Sequence, residues 1–272
     1  MLLQKVAVLL LACQVSGLTK LSNEQQEQLD HCGVRNYATS STKILHGHQA
    51  KPNQFPWAVG ISRNGGHICG GVLISKLHVL TAAHCLYPYN TCSRGKEVAA
   101  SKLSIHLGHI IKQKGHQVAI SNFSIPAREE VNALTDCMSV GGDLALLELV
   151  ENVPDRLFQT GQVNIVCLPE THEPYEKAIG VTSIGWGYTG ILLFYGDSGG
   201  PLLLKSDRGK YNVIGVVSSG TSCNDMRRDQ LSSHPKPPTY LGGVFTDVRL
   251  HRDWICREIG ICGVSEYDSD YY

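Results

Sequence analysis

The chain has 272 residues, 42% of them hydrophobic, with 28 Gly, 10 Cys and 24 Lys+Arg balanced by 24 Asp+Glu. That length and apolar content exclude a disordered chain and allow a sizeable core, and the lack of a Gly-X-Y period excludes a fibre. Zero formal charge withholds the field that a nucleic-acid binder normally carries, and the cysteine count points to an oxidising compartment.

In chain order, residues 1–17 come first, with Lys5, an apolar run from Val6 to Ala12, and small residues near Val15-Ser16-Gly17. This is the pattern of a secretory signal peptide. The apolar run falls short of the ~20 residues that a membrane span needs. No membrane association is therefore expected, and the mature protein is expected in the extracellular medium. Residues 18–43 are polar, rich in Gln-Glu and Ser-Thr, and read as a flexible leader. Short apolar runs follow, separated by Gly, Pro, Asn and Asp. Strands are expected over 57–61, 71–74, 78–81, 103–107, 143–149, 181–186, 201–204, 213–218 and 244–248. Their spacing, with no long 3.6-residue period, predicts an all-β sandwich or barrel. Val248, Trp254, Ile255 and Ile259 suit one short amphipathic helix near the end. Residues 263–272 form an acidic, Tyr-rich tail expected to fray.

Three motifs carry chemistry: Thr81-Ala82-Ala83-His84-Cys85, Asp143-Leu144-Ala145-Leu146-Leu147 and Gly196-Asp197-Ser198-Gly199-Gly200-Pro201. A serine hydroxyl is a weak nucleophile and needs a base, which in turn needs a group to fix its tautomer. His84 can serve as that base, because imidazole titrates near operating pH. Asp143 can orient and stabilise it. The glycines around Ser198 allow a tight turn that aims the Gly196 and Ser198 N–H groups at one point, where an oxyanion could sit. Taken singly, the Asp143 motif could be any half-buried strand, and the Ser198 motif a plain turn. All three together, in the order His, Asp, Ser, match one known triad order.

On these motifs the chain resembles the chymotrypsin/trypsin-like serine proteases, from about Ile44 to Ile259. Cys69-Gly70-Gly71, Val166-Cys167-Leu168-Pro169, Gly185-Trp186-Gly187 and Trp254-Ile255 extend the likeness. The resemblance implies two antiparallel six-stranded β-barrels with the active site between them, over residues 44–262. It implies a serine endopeptidase acting on protein or peptide substrates through an acyl-enzyme, open to serine protease inhibitors and monomeric. It also implies a zymogen, cleaved by an activating protease after Lys43. The new Ile44 ammonium would pair with the Asp197 carboxylate and order the oxyanion loop. Ser218, Ser219 and Gly220 correspond to the substrate-binding strand, with Ser219 in place of the usual aromatic.

The same resemblance implies disulfides Cys69–Cys85 and Cys32–Cys167, the second tethering the leader. Cys92 and Cys137 lie in loops that neighbour each other in this fold and are expected to pair. Removing residues 1–17 takes away Cys13 and leaves an odd number of cysteines. With a local Cys256–Cys262 pair, Cys223 is left over. Its family partner would stand at Phe194.

That vacancy belongs to a larger gap. Only eight residues separate Gly187 from Gly196, and 55 positions separate Asp143 from Ser198, against about 90 in the chymotrypsin template. Two strands, a helix and a wall of the specificity pocket have no counterpart, so the second barrel is expected to be incomplete. Ile191-Leu192-Leu193-Phe194-Tyr195 could fill part of the gap or form an exposed sticky segment. Leu192 falls at the pocket floor, where a trypsin-type enzyme carries a carboxylate, and argues against basic-residue specificity. Asn122-Phe123-Ser124 is a glycosylation acceptor. His46-Gly47-His48 lacks zinc-ligand spacing, so neither metal nor cofactor is expected. Beside the active protease stand two alternatives, a catalytically impaired protease-like binding protein and a shortened isoform with a defective pocket.

Overall fold

A computed structural model of the chain describes residues 17–35, 49–87, 97–126, 142–170, 180–187, 196–220 and 243–262. Cys92, Cys137, Cys223, Lys43, Ile44, Leu192 and Phe194 lie outside them. Among the described residues no helix is long and apolar enough to cross a membrane.

Six antiparallel strands close a barrel. They are β1 (Ala58–Arg63), β2 (Gly66–Leu73), β3 (His78–Thr81), β4 (Leu103–Leu107), β5 (His116–Ser124) and β6 (Ala145–Leu149), in the order β1-β2-β3-β6-β5-β4. Alternation drives the closure: on β4, Leu103, Ile105 and Leu107 point inward, and on β5, Val118 and Ile120 do. The β1–β2 hairpin turns on Asn64 and Gly65, both at positive φ (50° and 80°), as a type I′ turn requires. β5 was not among the expected strands. Its polar Gln117, Ser121 and Asn122 mask a two-residue period that only Val118 and Ile120 carry.

The second sheet has four antiparallel strands, β7 (Thr182–Ser183), β8 (Pro201–Lys205), β9 (Tyr211–Gly220) and β10 (Gly243–Asp247), in the order β10-β9-β8-β7. Among the described residues it does not close. The expected run over 181–186 contributes only the two residues of β7. An incomplete second barrel is what the short interval before Gly196 predicts. The helix α3 (Arg252–Ile259; α1 and α2 are given below) buries Trp254, Ile255 and Ile259. It ends at Gly260, whose φ of 79° lets its N–H reach Cys256, and a disulfide joins Cys256 to Cys262.

The leader is not wholly loose. Residues 17–35 lie against the body as a strap. Leu18 and Leu21 are buried in the core cluster, and Leu21 N–H donates to the Ile259 carbonyl. Ser22 and Gln25 form a capping box at α1 (Asn23–Glu27). Cys32 is bonded to Cys167. Gly33, at φ 69°, exchanges backbone bonds with Ile165 and Tyr211. A Cβ there would lie 2.7 Å from Tyr211 N, so only glycine lets the strap come this close. Nearby, α2 (Asp155–Gln159) carries Asp155, which pairs with Lys76 of the β2–β3 turn.

Candidate active site

His84 sits in a short 3-10 turn, Ala83–Leu86, directly after β3. The Cys69–Cys85 disulfide fastens that turn to β2. Asp143 precedes β6, which pairs with β3, so the sheet register itself brings the two side chains together. His84 Nδ1 lies 2.7 Å from Asp143 Oδ2, and the His84 backbone N–H donates to Oδ1 at 2.9 Å. Both side chains are almost fully buried, at 3% and 2% exposure. A carboxylate can only accept, so the proton of a neutral ring sits on Nδ1 and Nε2 keeps its lone pair.

Two hydroxyls from the second sheet hold the same aspartate. Ser218 Oγ on β9 donates to Asp143 Oδ2 at 2.5 Å, and Thr246 Oγ1 on β10 donates to the Asp143 carbonyl at 3.0 Å. Both are buried. Asp143 therefore accepts three hydrogen bonds on its carboxylate and one on its backbone, which fixes its orientation. Thr246 had no sequence signal beyond a polar residue within an apolar strand.

Ser198 stands on a loop between two positive-φ glycines, Gly196 at 105° and Gly199 at 77°. The loop is held by main chain. Gly70 N–H donates to the Ser198 carbonyl at 2.7 Å, and Gly199 N–H to Val217 at 2.8 Å. A Cβ on Gly70 would meet the Gly200 backbone at 3.1 Å, and one on Gly199 would lie 2.5 Å from the Gly70 oxygen. Backbone contact between β2 and the loop thus sets Ser198 beside the barrel that carries His84. Among the described residues no hydrogen bond joins Ser198 Oγ to His84, whose Nε2 has Cys85 Sγ at 3.8 Å. Among them, too, the Gly196 and Ser198 N–H groups donate to no protein acceptor. That pair of donors can receive an oxyanion.

The Asp197 carboxylate accepts from Gly187 N–H at 2.7 Å. It fills the space that side chains at 185 and 187 would need, which accounts for the Gly185-Trp186-Gly187 motif. His67, unremarked in the sequence, faces the same loop, with Nε2 3.2 Å from the Gly196 carbonyl. Burial lowers the His67 pKa, with smaller lowering from Lys112 and His106. The Gly196 contact and Asp197 pull the other way. The ring is therefore held neutral beside a carboxylate.

Ser219 and Gly220 follow buried Ser218 and pair with Val244 and Gly243 on β10. The structure so joins His84, Asp143 and Ser218 by hydrogen bonds and hangs Gly196, Asp197 and Ser198 on a loop against β2 and β9. Ile44 and Leu192 lie outside the described residues. Ligand atoms of Cys69, His84 and Cys85 cluster within 4.8 Å. The two sulfurs are bonded to each other, so the cluster offers no thiolate to a metal.

A family model described as Trypsin matches residues 44–193. The matched span includes His84 and Asp143 and ends before Ser198. Among curated proteins the chain is similar to Hypodermin-B of Hypoderma lineatum. The two are 29% identical over 248 residues, covering 78% of this chain and 86% of that protein.

Proposed function

The chain belongs to the trypsin family of serine proteases, and from that premise we propose that it is a secreted endopeptidase whose nucleophile, base and orienting acid are Ser198, His84 and Asp143. The observation that carries this reading is the buried Asp143–His84 pair. Its 2.7 Å contact leaves Nε2 free to take a proton. In the first step Ser198 Oγ attacks the substrate carbonyl while His84 Nε2 removes its proton. The developing oxyanion is received by the Gly196 and Ser198 N–H groups. His84 then returns the proton to the leaving amine, and water enters to release the acyl group from Ser198.

The chain is made as a precursor of signal peptide 1–17, leader 18–43 and protease domain 44–262. Cleavage after Lys43 frees an Ile44 ammonium for Asp197. A carboxylate with one N–H donor in a half-buried site favours such a partner. After cleavage the leader stays attached through Cys32–Cys167. The substrate is a protein or peptide, bound along Ser218, Ser219 and Gly220, with Leu192 disfavouring a basic side chain in the pocket.

A second reading, a binding protein without turnover, is favoured by two absences among the described residues: the four-stranded sheet does not close, and no hydrogen bond joins Ser198 to His84. The discriminating experiment treats folded protein, cleaved after Lys43, with a fluorophosphonate. Covalent labelling that Ser198→Ala abolishes supports the protease. A folded, cleaved sample that takes no label refutes it and leaves the binding reading.

A further inference from the structure

His78 on β3 is fully buried, at 0% exposure, and has no part in the chemistry above. Ser75 Oγ contacts its Nδ1 at 2.9 Å. That same oxygen accepts the N–H groups of Leu77 (3.1 Å) and His78 (2.9 Å). With both lone pairs engaged, the hydroxyl can only donate to the ring, so the proton of neutral His78 sits on Nε2. Among the described residues Nε2 is buried and makes no hydrogen bond. A protonated ring would therefore present one N–H to a saturated oxygen and one to a buried position where only the weak upward pull of the Thr19 backbone offsets the cost of burial.

One carboxylate stands within its reach. Glu148 of β6 is directly opposite His78 in the antiparallel ladder. It is already committed to the strap: Thr19 N–H donates to Oε2 at 2.5 Å, and Thr19 Oγ1 to Oε1 at 3.0 Å. Ser121 Oγ adds a long contact at 3.4 Å. Thr19 lies between Leu18 and Leu21, the strap's two buried apolar anchors, at 7% and 6% exposure.

We propose that His78 is an acid-operated latch for the N-terminal strap: protonation of its ring claims Glu148 and undocks residues 18–21 from β6 and from the end of α3. The disulfide at Cys32 keeps the far end in place, so acid frees one end of the strap and not the other. The groups facing His78 come from three elements. β6 contributes the Glu148 carboxylate. The strap contributes the Thr19 backbone and no side-chain charge. The β2–β3 turn contributes Ser75, while Lys76 of that turn is paired with Asp155. Removal of residues 1–17 would add the Leu18 ammonium one residue from Thr19. That cation stays charged throughout the acid range and opposes ring protonation in the same sense.

The sign follows from linkage. Burial lowers the His78 pKa from 6.5 to about 4, with Glu148 and the Thr19 backbone pulling upward. The undocked form binds the proton more readily. Docking is fully favoured above pH 6.5 and weakens as pH falls toward 4. If undocking restored the ordinary pKa, the loss between pH 7 and pH 5 would reach about 20-fold. The surrounding barrel makes that a ceiling.

Amide exchange of the folded chain, followed residue by residue and corrected for intrinsic rates, tests the latch. From pH 7 to pH 5, Thr19 and Leu21 are expected to lose several-fold to about 20-fold of their protection. Gly33, beside the disulfide, and Leu149, bonded to Leu77, are expected to keep theirs. His78→Gln is expected to abolish the difference. Unchanged protection at Thr19 and Leu21, or an equal loss in His78→Gln, overturns the proposal. If that variant does not fold, imidazole C2 exchange in the unsubstituted chain reports the His78 titration directly. A midpoint near 6.5 in the docked form overturns it as well. Neither readout requires protease activity, so the latch and the catalytic reading fail separately.

Discussion

Asp143→Asn probes the catalytic assignment at its most constrained point. The substitution preserves shape and exchanges one carboxylate oxygen for an NH2. The His84 backbone N–H, 2.9 Å from Oδ1, pins the amide oxygen there, because a flipped amide would set donor against donor. The NH2 then faces His84 Nδ1 across the 2.7 Å contact and can pair only with a lone pair on Nδ1. The ring proton moves to Nε2, and the base is lost. Keeping the productive tautomer forfeits a charge-assisted bond, about 1.5–3 kcal/mol. The imidazolium also loses its buried counter-charge. Together these correspond to a rate loss of about 10⁴-fold, as in the triad template, or about 5.5 kcal/mol of barrier. The assay is the second-order rate of fluorophosphonate labelling on cleaved protein, with the melting temperature measured alongside. A loss under tenfold in a variant with unchanged melting temperature would refute the assignment of Asp143 as the orienting acid.

Three further outcomes follow from the same geometry. Gly199→Ala places a Cβ against Gly70 and Thr81 at φ 77°. It should cost about 2 kcal/mol or more of stability, read in denaturant titration, with labelling of Ser198 reduced. Cys32→Ser removes the Cys32–Cys167 crosslink and should cost about 2–5 kcal/mol; unchanged thermal unfolding would show the strap to be energetically idle. His67 has its pKa lowered by burial, so the unfolded chain binds its proton more readily. Stability should fall as pH drops below 6.5, and His67→Gln should flatten that part of the stability–pH profile.

What the sequence revealed, and what it hid, divides along physical lines. Short-range patterns were legible. The Ser198 glycines, the apolar alternation of β4 and the buried face of α3 each encode local geometry in a few adjacent residues. The shortened interval before Gly196 was legible as well, because a four-stranded second sheet needs fewer residues than a barrel. β5 was obscured because its outward residues are polar and just two inward ones carry the period. The strap was obscured for a different reason. Its anchors, Leu18 and Leu21, are isolated apolar residues in a polar stretch, and Glu148, which accepts from Thr19, and Ile259, which accepts from Leu21, lie far away in the chain. Thr246 and His67 act through single contacts to backbone carbonyls, and such contacts impose no pattern on the neighbouring sequence.

The Ser198 loop hangs from two supports, Gly70 on β2 and Val217 on β9. Both are strands that the chain retains. The two supports are main-chain contacts, and two side chains add to them, His67 on the Gly196 carbonyl and Asp197 on the Gly187 N–H. The short interval before Gly196 contains neither of those two main-chain supports. The main-chain anchors of Ser198 thus sit on strands outside the shortened interval, so the placement of this loop and the length of that interval are separable.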